Sequence, residues 1–403
     1  MRMAIPAGLT ALALSACAPS AQIETAAAPF VTPDNARCSG AGVAIDTDFP
    51  AGALESCSID ANGLVTISIA PEDEPPINCS PWYAFRVHTA QPREVTINLT
   101  YTECGHRYWP KSSSDGQVWD YLPEAKVKVT EFSGRDQAKI TVTTGGDPLF
   151  ISAQEIIVPA TYDAWLDSLE SHPALTRSLL GKSAEGREIE VIRIGNSAAR
   201  EQVILVGRQH PPEVTGALAM LPFVETLLDD SELAQRFRKR FQVTAVPLLN
   251  PDGVVRGHWR HNTGGVDLNR DWGPFTQPET QLMKGVMDAI AANPDQDLRL
   301  LLDFHSTNRD IFYTIPDELP TDPELYTAKW LERYQELMTG YEVVRDARHT
   351  VGRPISKGYS YDTYGIPAIT FELGDETDRA LIKRIGKQSA IAMMETLLAT
   401  PQE

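Results

Sequence analysis

Four short runs of this 403-residue chain carry residue types suited to hydrolysis. The first is Arg208-Gln209-His210-Pro211-Pro212-Glu213. It follows the apolar run Val203-Ile204-Leu205-Val206-Gly207 and precedes a helical pattern. His210 and Glu213 therefore fall just past the carboxyl end of a strand, where open α/β sheets place ligands. An H-x-x-E pair on such a turn can direct an imidazole nitrogen and a carboxylate at one cation, although the spacing alone is common by chance. The second run is Asn250-Pro251-Asp252-Gly253, then Trp259-Arg260-His261-Asn262, then Gly265-Val266-Asp267-Leu268-Asn269-Arg270-Asp271-Trp272. The third, Leu301-Leu302-Asp303-Phe304-His305-Ser306, is an apolar strand that delivers His305 at its end. The fourth, Ile369-Thr370-Phe371-Glu372-Leu373-Gly374, is another apolar strand bearing one carboxylate. A charge inside such a run is costly unless it is used or paired.

In these four runs, taken in order across roughly residues 160–400, the chain resembles the zinc carboxypeptidases, the carboxypeptidase A-like enzymes. The resemblance implies that His210, Glu213 and His305 bind one Zn²⁺. Two His and one Glu leave a fourth position open to water, the arrangement of a catalytic metal. It also implies that Glu372 is the general base and Arg260 the electrophilic residue. Asn269 with Arg270 falls on the pair that clasps a terminal carboxylate, and Asp267 on the carboxylate that orients His210. The chemistry asks for the same residue types. A carboxylate tuned toward neutrality can take a proton from water and return it to the leaving amine. Arg260 cannot lose its charge, the fork of Arg270 matches a carboxylate, and Asp267 would fix the tautomer of His210. The mobile Tyr of the digestive enzymes has no counterpart near Thr350 to Pro354, and Tyr359, Tyr361 and Tyr364 receive no role. His258 and His261 are secondary candidates for substrate contact. Arg309, Arg353 and Lys357 are candidates for the specificity pocket.

The elements that must position these residues change character along the chain. Residues 38–157 contain β-type runs at Leu64 to Ala70, Trp82 to His88, Glu94 to Tyr101, Ala125 to Glu131, Gln137 to Thr144 and Phe150 to Val158. Their alternation predicts an antiparallel β-sandwich. In Ser80-Pro81-Trp82-Tyr83-Ala84-Phe85-Arg86-Val87 and Tyr108-Trp109-Pro110-Lys111 this part resembles the domain preceding the peptidase in the cytosolic carboxypeptidase (deglutamylase) subfamily, which implies removal of acidic C-terminal residues. From 158 to 403, buried strands at Glu188 to Ile194, Gln202 to Gly207 and Gln242 to Leu249 alternate with helical patterns at Tyr162 to Leu180, Val214 to Leu228, Pro278 to Ala292, Asp322 to Thr339 and Asp378 to Leu398. This predicts an α/β zinc-carboxypeptidase domain with a mixed sheet flanked by helices.

The start of the chain reads as an address. Met1-Arg2-Met3 is basic, Ala4 to Leu14 is apolar, and Leu14-Ser15-Ala16-Cys17 resembles the lipobox of bacterial lipoproteins. Residues 1–16 are thus expected to be a signal peptide, Cys17 a lipidation site and 17–37 a linker. The protein would be exported, periplasmic or outer-membrane-associated, and held to the membrane only through lipid. Cys38, Cys57, Cys79 and Cys104 then suggest two disulfides, and of three connectivities the expectation is Cys38 with Cys57 and Cys79 with Cys104. With 36 Lys and Arg against 54 Asp and Glu, a net charge of −18 and no basic stripe exclude a nucleic-acid binder. The reading as a whole is a zinc metallocarboxypeptidase acting on peptides with a free C-terminal carboxylate. Alternatives are a cell-wall stem-peptide peptidase or a deacylase on the same site. An inactive binding lipoprotein is disfavoured because every ligand and the base are present.

Overall fold

The computed structural model describes residues 32–401. The expected signal peptide, Cys17 and most of the linker lie outside the described residues. Among the described residues, no helix is long and apolar enough to cross a membrane.

The N-terminal part is built from two sheets. One has the strand order Cys38–Gly40, Val43–Asp46, Ala84–Thr89, Leu149–Ser152, Lys111–Ser113, Asp120–Tyr121. The other runs Ser56–Ile59, Val65–Ile69, Arg93–Tyr101, Arg135–Thr144, Val127–Phe132. Strand Arg93–Tyr101 shows why they form: from Val95 onward every second residue is buried, the period-2 alternation of a sheet with one wet face. Val43, Ile45, Phe85 and Val87 from one sheet share a core with Val65, Ile67, Val95, Ile97 and Leu99 from the other. The pairing is antiparallel except between Val65–Ile69 and Ile97–Tyr101, which run parallel. Cys38 is bonded to Cys57 and Cys79 to Cys104.

The larger part holds an eight-stranded sheet in the order Leu175–Lys182, Glu188–Gly195, Phe241–Val246, Glu201–Gly207, Asp297–Thr307, Ala368–Gly374, Ile311–Thr314, Arg345–Ala347. The four middle strands are parallel. Their burial is nearly continuous, as helices on both faces require. Helices Val214–Leu227 and Arg379–Ala399 pack on one face. Gly386 makes their approach possible, since a Cβ there would lie 2.3 Å from the Ala219 carbonyl oxygen. Asp378 caps the second helix by accepting the Leu381 N–H at 2.8 Å.

The expected helix over Tyr162 to Leu180 is corrected. The helix covers Pro159–Leu169, and Leu175–Lys182 is an edge strand paired antiparallel with Glu188–Gly195. Pro173 stands between them, and the residue before a proline is driven away from the helical region. Likewise, the helix expected from Asp322 begins at Tyr326, because Leu325 has φ 54°, outside the helical region. Strand Phe150 to Val158 shortens to Leu149–Ser152.

The two parts share a core. Tyr162, Val214, Ala217, Leu248, Val254 and Trp259 pack in one cluster with the sandwich residues. Ala51 N–H donates to the Val255 carbonyl at 2.8 Å.

Candidate active site

Strand Glu201–Gly207 ends in a turn that must reverse sharply to bring His210 inward. Arg208 makes the turn with φ 52°, a value rare for a non-glycine residue. It is held there by its own guanidinium, whose Nε donates to the Pro211 carbonyl at 2.9 Å and whose Nη1 donates to the Ile157 carbonyl at 3.2 Å. Glu213 then precedes helix Val214–Leu227, where the helix dipole favours a negative charge. The first turn of that helix is pressed onto the strand carrying His305. Ser306 Oγ accepts the Gly216 N–H at 2.8 Å, and a Cβ at Gly216 would lie 2.5 Å from the His305 carbonyl oxygen. Parallel register puts Gly207 beside Phe304 and His305 beside Glu372. In this way three distant segments meet at the carboxyl ends of adjacent strands.

The result is a tight cluster. His210 Nδ1 lies 2.8 Å from Glu213 Oε1, and His305 Nδ1 lies 2.6 Å from Glu213 Oε2. The three groups offer ligand atoms all within 4.8 Å of one another. The outer nitrogens are engaged by carboxylates: His210 Nε2 is 2.9 Å from Asp267 Oδ1, and His305 Nε2 is 2.9 Å from Asp303 Oδ2. A proton held on each Nε2 leaves the Nδ1 lone pairs facing one point, and two imidazoles with one carboxylate are a donor set suited to zinc. Burial opposes ionisation of Glu213, yet the facing imidazoles of His210 and His305 hold its carboxyl well below the usual range.

Glu372 is half-buried beside this cluster, and its buried Oε2 has no hydrogen-bond partner. Burial, reinforced by the charge of Glu213, pushes its carboxyl up to about 8. An orphaned buried carboxylate oxygen next to a three-donor cluster is what a cation and a reacting water would satisfy. Arg260 donates from Nε to Asp267 Oδ2 at 2.8 Å and from Nη1 to Glu213 Oε1 at 3.2 Å. Burial again opposes the charge on Asp267, but His210 and Arg260 hold it far below the carboxylate norm.

These residues line a cleft of about 400 Å³, within the range of small-ligand sites. Asn269 and Arg270 are in its wall. Asn269 Oδ1 accepts the Ser356 N–H at 2.9 Å, and its Nδ2 lies 3.3 Å from His305 Nε2, on the side of the cleft that holds the cluster. Arg270 Nη1 donates to the Asn269 carbonyl at 2.7 Å. Arg348, Arg353 and Lys357 also line the cleft; Lys357 Nζ donates to the Thr314 carbonyl at 3.0 Å and to the Arg348 carbonyl at 2.5 Å, and burial pulls its amine down to about 8. Arg309 is not part of the lining, and neither are His258 and His261. Tyr359 packs on Phe275, and Tyr364 OH donates to Asp288 Oδ1. Sequence reasoning missed Asp303, which sits two residues before His305 on one face of a strand, a signal that was available. It also missed Tyr313, whose strand lies beside that of Glu372, and Asn78, Ser80 and Arg107, which the sandwich contributes to the wall.

A zinc carboxypeptidase family model matches residues 162–392. The chain belongs to the zinc carboxypeptidase family. A model of the cytosolic carboxypeptidase N-terminal domain matches residues 45–144. Cytosolic carboxypeptidase 6 of Caenorhabditis elegans is 30% identical over 162 residues, which covers 37% of this chain and 35% of that protein. An uncharacterized protein of Zymomonas mobilis is 30% identical over 226 residues, 56% of this chain and 58% of that protein. This zinc carboxypeptidase chain thus spans between about a third and three fifths of these curated relatives. Among solved structures, a metallo-carboxypeptidase from Burkholderia cenocepacia aligns with TM-score 0.75 at 18% identity, covering 88% of this chain and 99% of that one. The metallo-carboxypeptidase of Pseudomonas aeruginosa, solved with (2-guanidinoethylmercapto)succinic acid, aligns with TM-score 0.69 at 19% identity, covering 88% and 98%. At these identities the likeness is one of fold.

Proposed function

We propose that the protein is a zinc-dependent metallocarboxypeptidase that releases C-terminal residues from peptides. The observation that carries this reading is Glu372, with a buried and unpartnered Oε2, beside His210, Glu213 and His305. When bound, one Zn²⁺ held by those three residues would supply Lewis acidity for the attacking water and the scissile carbonyl. Glu372 takes the proton of that water and later delivers it to the departing amine. Arg260 presents a fixed positive charge to the developing oxyanion. Asn269 Nδ2 and the Arg270 fork hold the α-carboxylate, which limits attack to the last peptide bond.

Arg348, Arg353 and Lys357 in the wall favour an acidic side chain on the released residue. Cell-wall stem peptides also end in a carboxylate, and the same clasp would accept them. A C-terminal peptide library digested by the purified, zinc-loaded protein and read by mass spectrometry tests both. Release of single residues, fastest for Glu and Asp, is expected; cleavage confined to internal bonds, or none, would refute the reading. We also propose that the protein is exported and lipid-anchored through Cys17. The sequence of residues 1–17 supports this, and so do two disulfides, which belong to oxidising compartments. Cys17→Ser should shift it out of the membrane fraction.

A further inference from the structure

The Arg260 guanidinium is tied to Asp267 and Glu213, but those bonds do not fix the backbone of the loop that carries it. The loop is gripped from the other domain. Glu72, three residues past the end of strand Val65–Ile69 and directly after its Ala70-Pro71 exit, extends its carboxylate into the backbone of Trp259-Arg260-His261. Oε2 accepts the Trp259 N–H at 2.7 Å, and Oε1 accepts the Arg260 N–H at 2.9 Å and the His261 N–H at 2.7 Å. Three successive amides converging on one anion form a nest. Its negative occupant is supplied by this chain, and the Glu72 side chain is only 8% exposed. Removing the carboxylate leaves three shielded donors without an acceptor, which destabilises this loop conformation. Asp73 adds a second tie to the same loop, with Oδ2 2.5 Å from His261 Nδ1. Glu72, Asp73 and His261 could be taken for a second metal cluster. The three amide donors already on Glu72 argue against that.

We propose that Glu72 is a positioning residue for the reaction, acting through the loop backbone to hold Arg260 where charge develops. The sandwich domain is therefore part of the catalytic apparatus. The proposal rests on the carboxypeptidase reading for its kinetic consequence but not for its structural one. Displacing a transition-state contact by even 1 Å costs on the order of 10²-fold in rate. A contact made only in the transition state lowers kcat and leaves KM in place.

The test uses the full-length, zinc-loaded protein and its Glu72→Ala and Glu72→Gln variants, with an N-acetylated tripeptide ending in Glu as substrate. Expected for Glu72→Ala is a kcat lower by about 10²-fold, with KM and zinc content within about twofold of the parent. Formate added at up to about 0.1 M should restore part of the lost kcat by filling the nest. A structural lesion would not respond to it. Hydrogen exchange of the peptide spanning residues 257–262, measured without substrate, should accelerate in both variants. An unchanged kcat, or equal losses in zinc and rate without formate rescue, would overturn the proposal. Unchanged exchange in Glu72→Gln would do so even if Glu72→Ala failed to fold. If the parent cleaves no C-terminal residue, the proposed function fails, and exchange alone still decides whether Glu72 holds the loop.

Discussion

Among the described residues, only Glu372 and Asp303 are carboxylates with a buried oxygen that has no hydrogen-bond partner, Oε2 and Oδ1 respectively, and Asp303 engages His305 through its other oxygen. Glu372→Gln keeps the shape and removes the basicity, so it should retain zinc while kcat falls by about 10³-fold; metal analysis and turnover on one preparation check both halves. The same group predicts a pH effect on stability. Its folded pKa of about 8 is above the ordinary 4.5, so the fold favours its protonated form. That contribution is full below about 4.5 and is lost as pH rises through about 8. In metal-free protein, the melting temperature of the parent relative to Glu372→Gln should fall between pH 5 and pH 8. A constant difference would contradict the raised pKa. Asp303, which faces the outer nitrogen of His305, predicts that Asp303→Asn weakens zinc affinity about 10- to 100-fold, read by competition with a chelator. At this scale the sequence was most informative: the resemblance of four motifs to the zinc carboxypeptidases singled out His210, Glu213, Asp267, Arg260, His305 and Glu372, which the fold gathers. It was silent on Glu72 and Arg208, whose roles depend on backbone atoms that spacing does not encode.

Elements were legible where burial is two-sided. The parallel strands read as apolar runs because both faces are covered. Leu175–Lys182 did not, since it is an edge strand with mostly half-exposed residues. Helix Ser356–Tyr364 lacks a readable stripe because its buried residues are Ser356, Lys357, Gly358 and Ser360. The segment Asn78 to Ser80 lines the cleft and is anchored by the Cys79–Cys104 bond, which spans 25 residues. Changing both cysteines to serine should cost about 3 kcal/mol of unfolding free energy and raise KM, since that wall of the cleft is loosened. Denaturant titration and steady-state kinetics on the double variant measure the two effects.

For the whole molecule, the shared core matters more than the division suggested by composition. Trp82, 3% exposed, packs in the joint cluster and donates from Nε1 to the Ala51 carbonyl at 2.8 Å. Trp82→Ala should cost ~3–5 kcal/mol, and the protein should still unfold in a single calorimetric transition. Two separated transitions in the parent would contradict a common core. The register of the sheet has a consequence for the order of assembly. His210 and His305 are 95 residues apart in the chain and meet only when neighbouring parallel strands are in register. A half-formed chain therefore offers no complete donor set, so the expected order is folding first and capture of the ion by a finished cleft second. Metallation then takes place in whichever compartment folding is completed, and that compartment's metal supply decides which ion the protein receives.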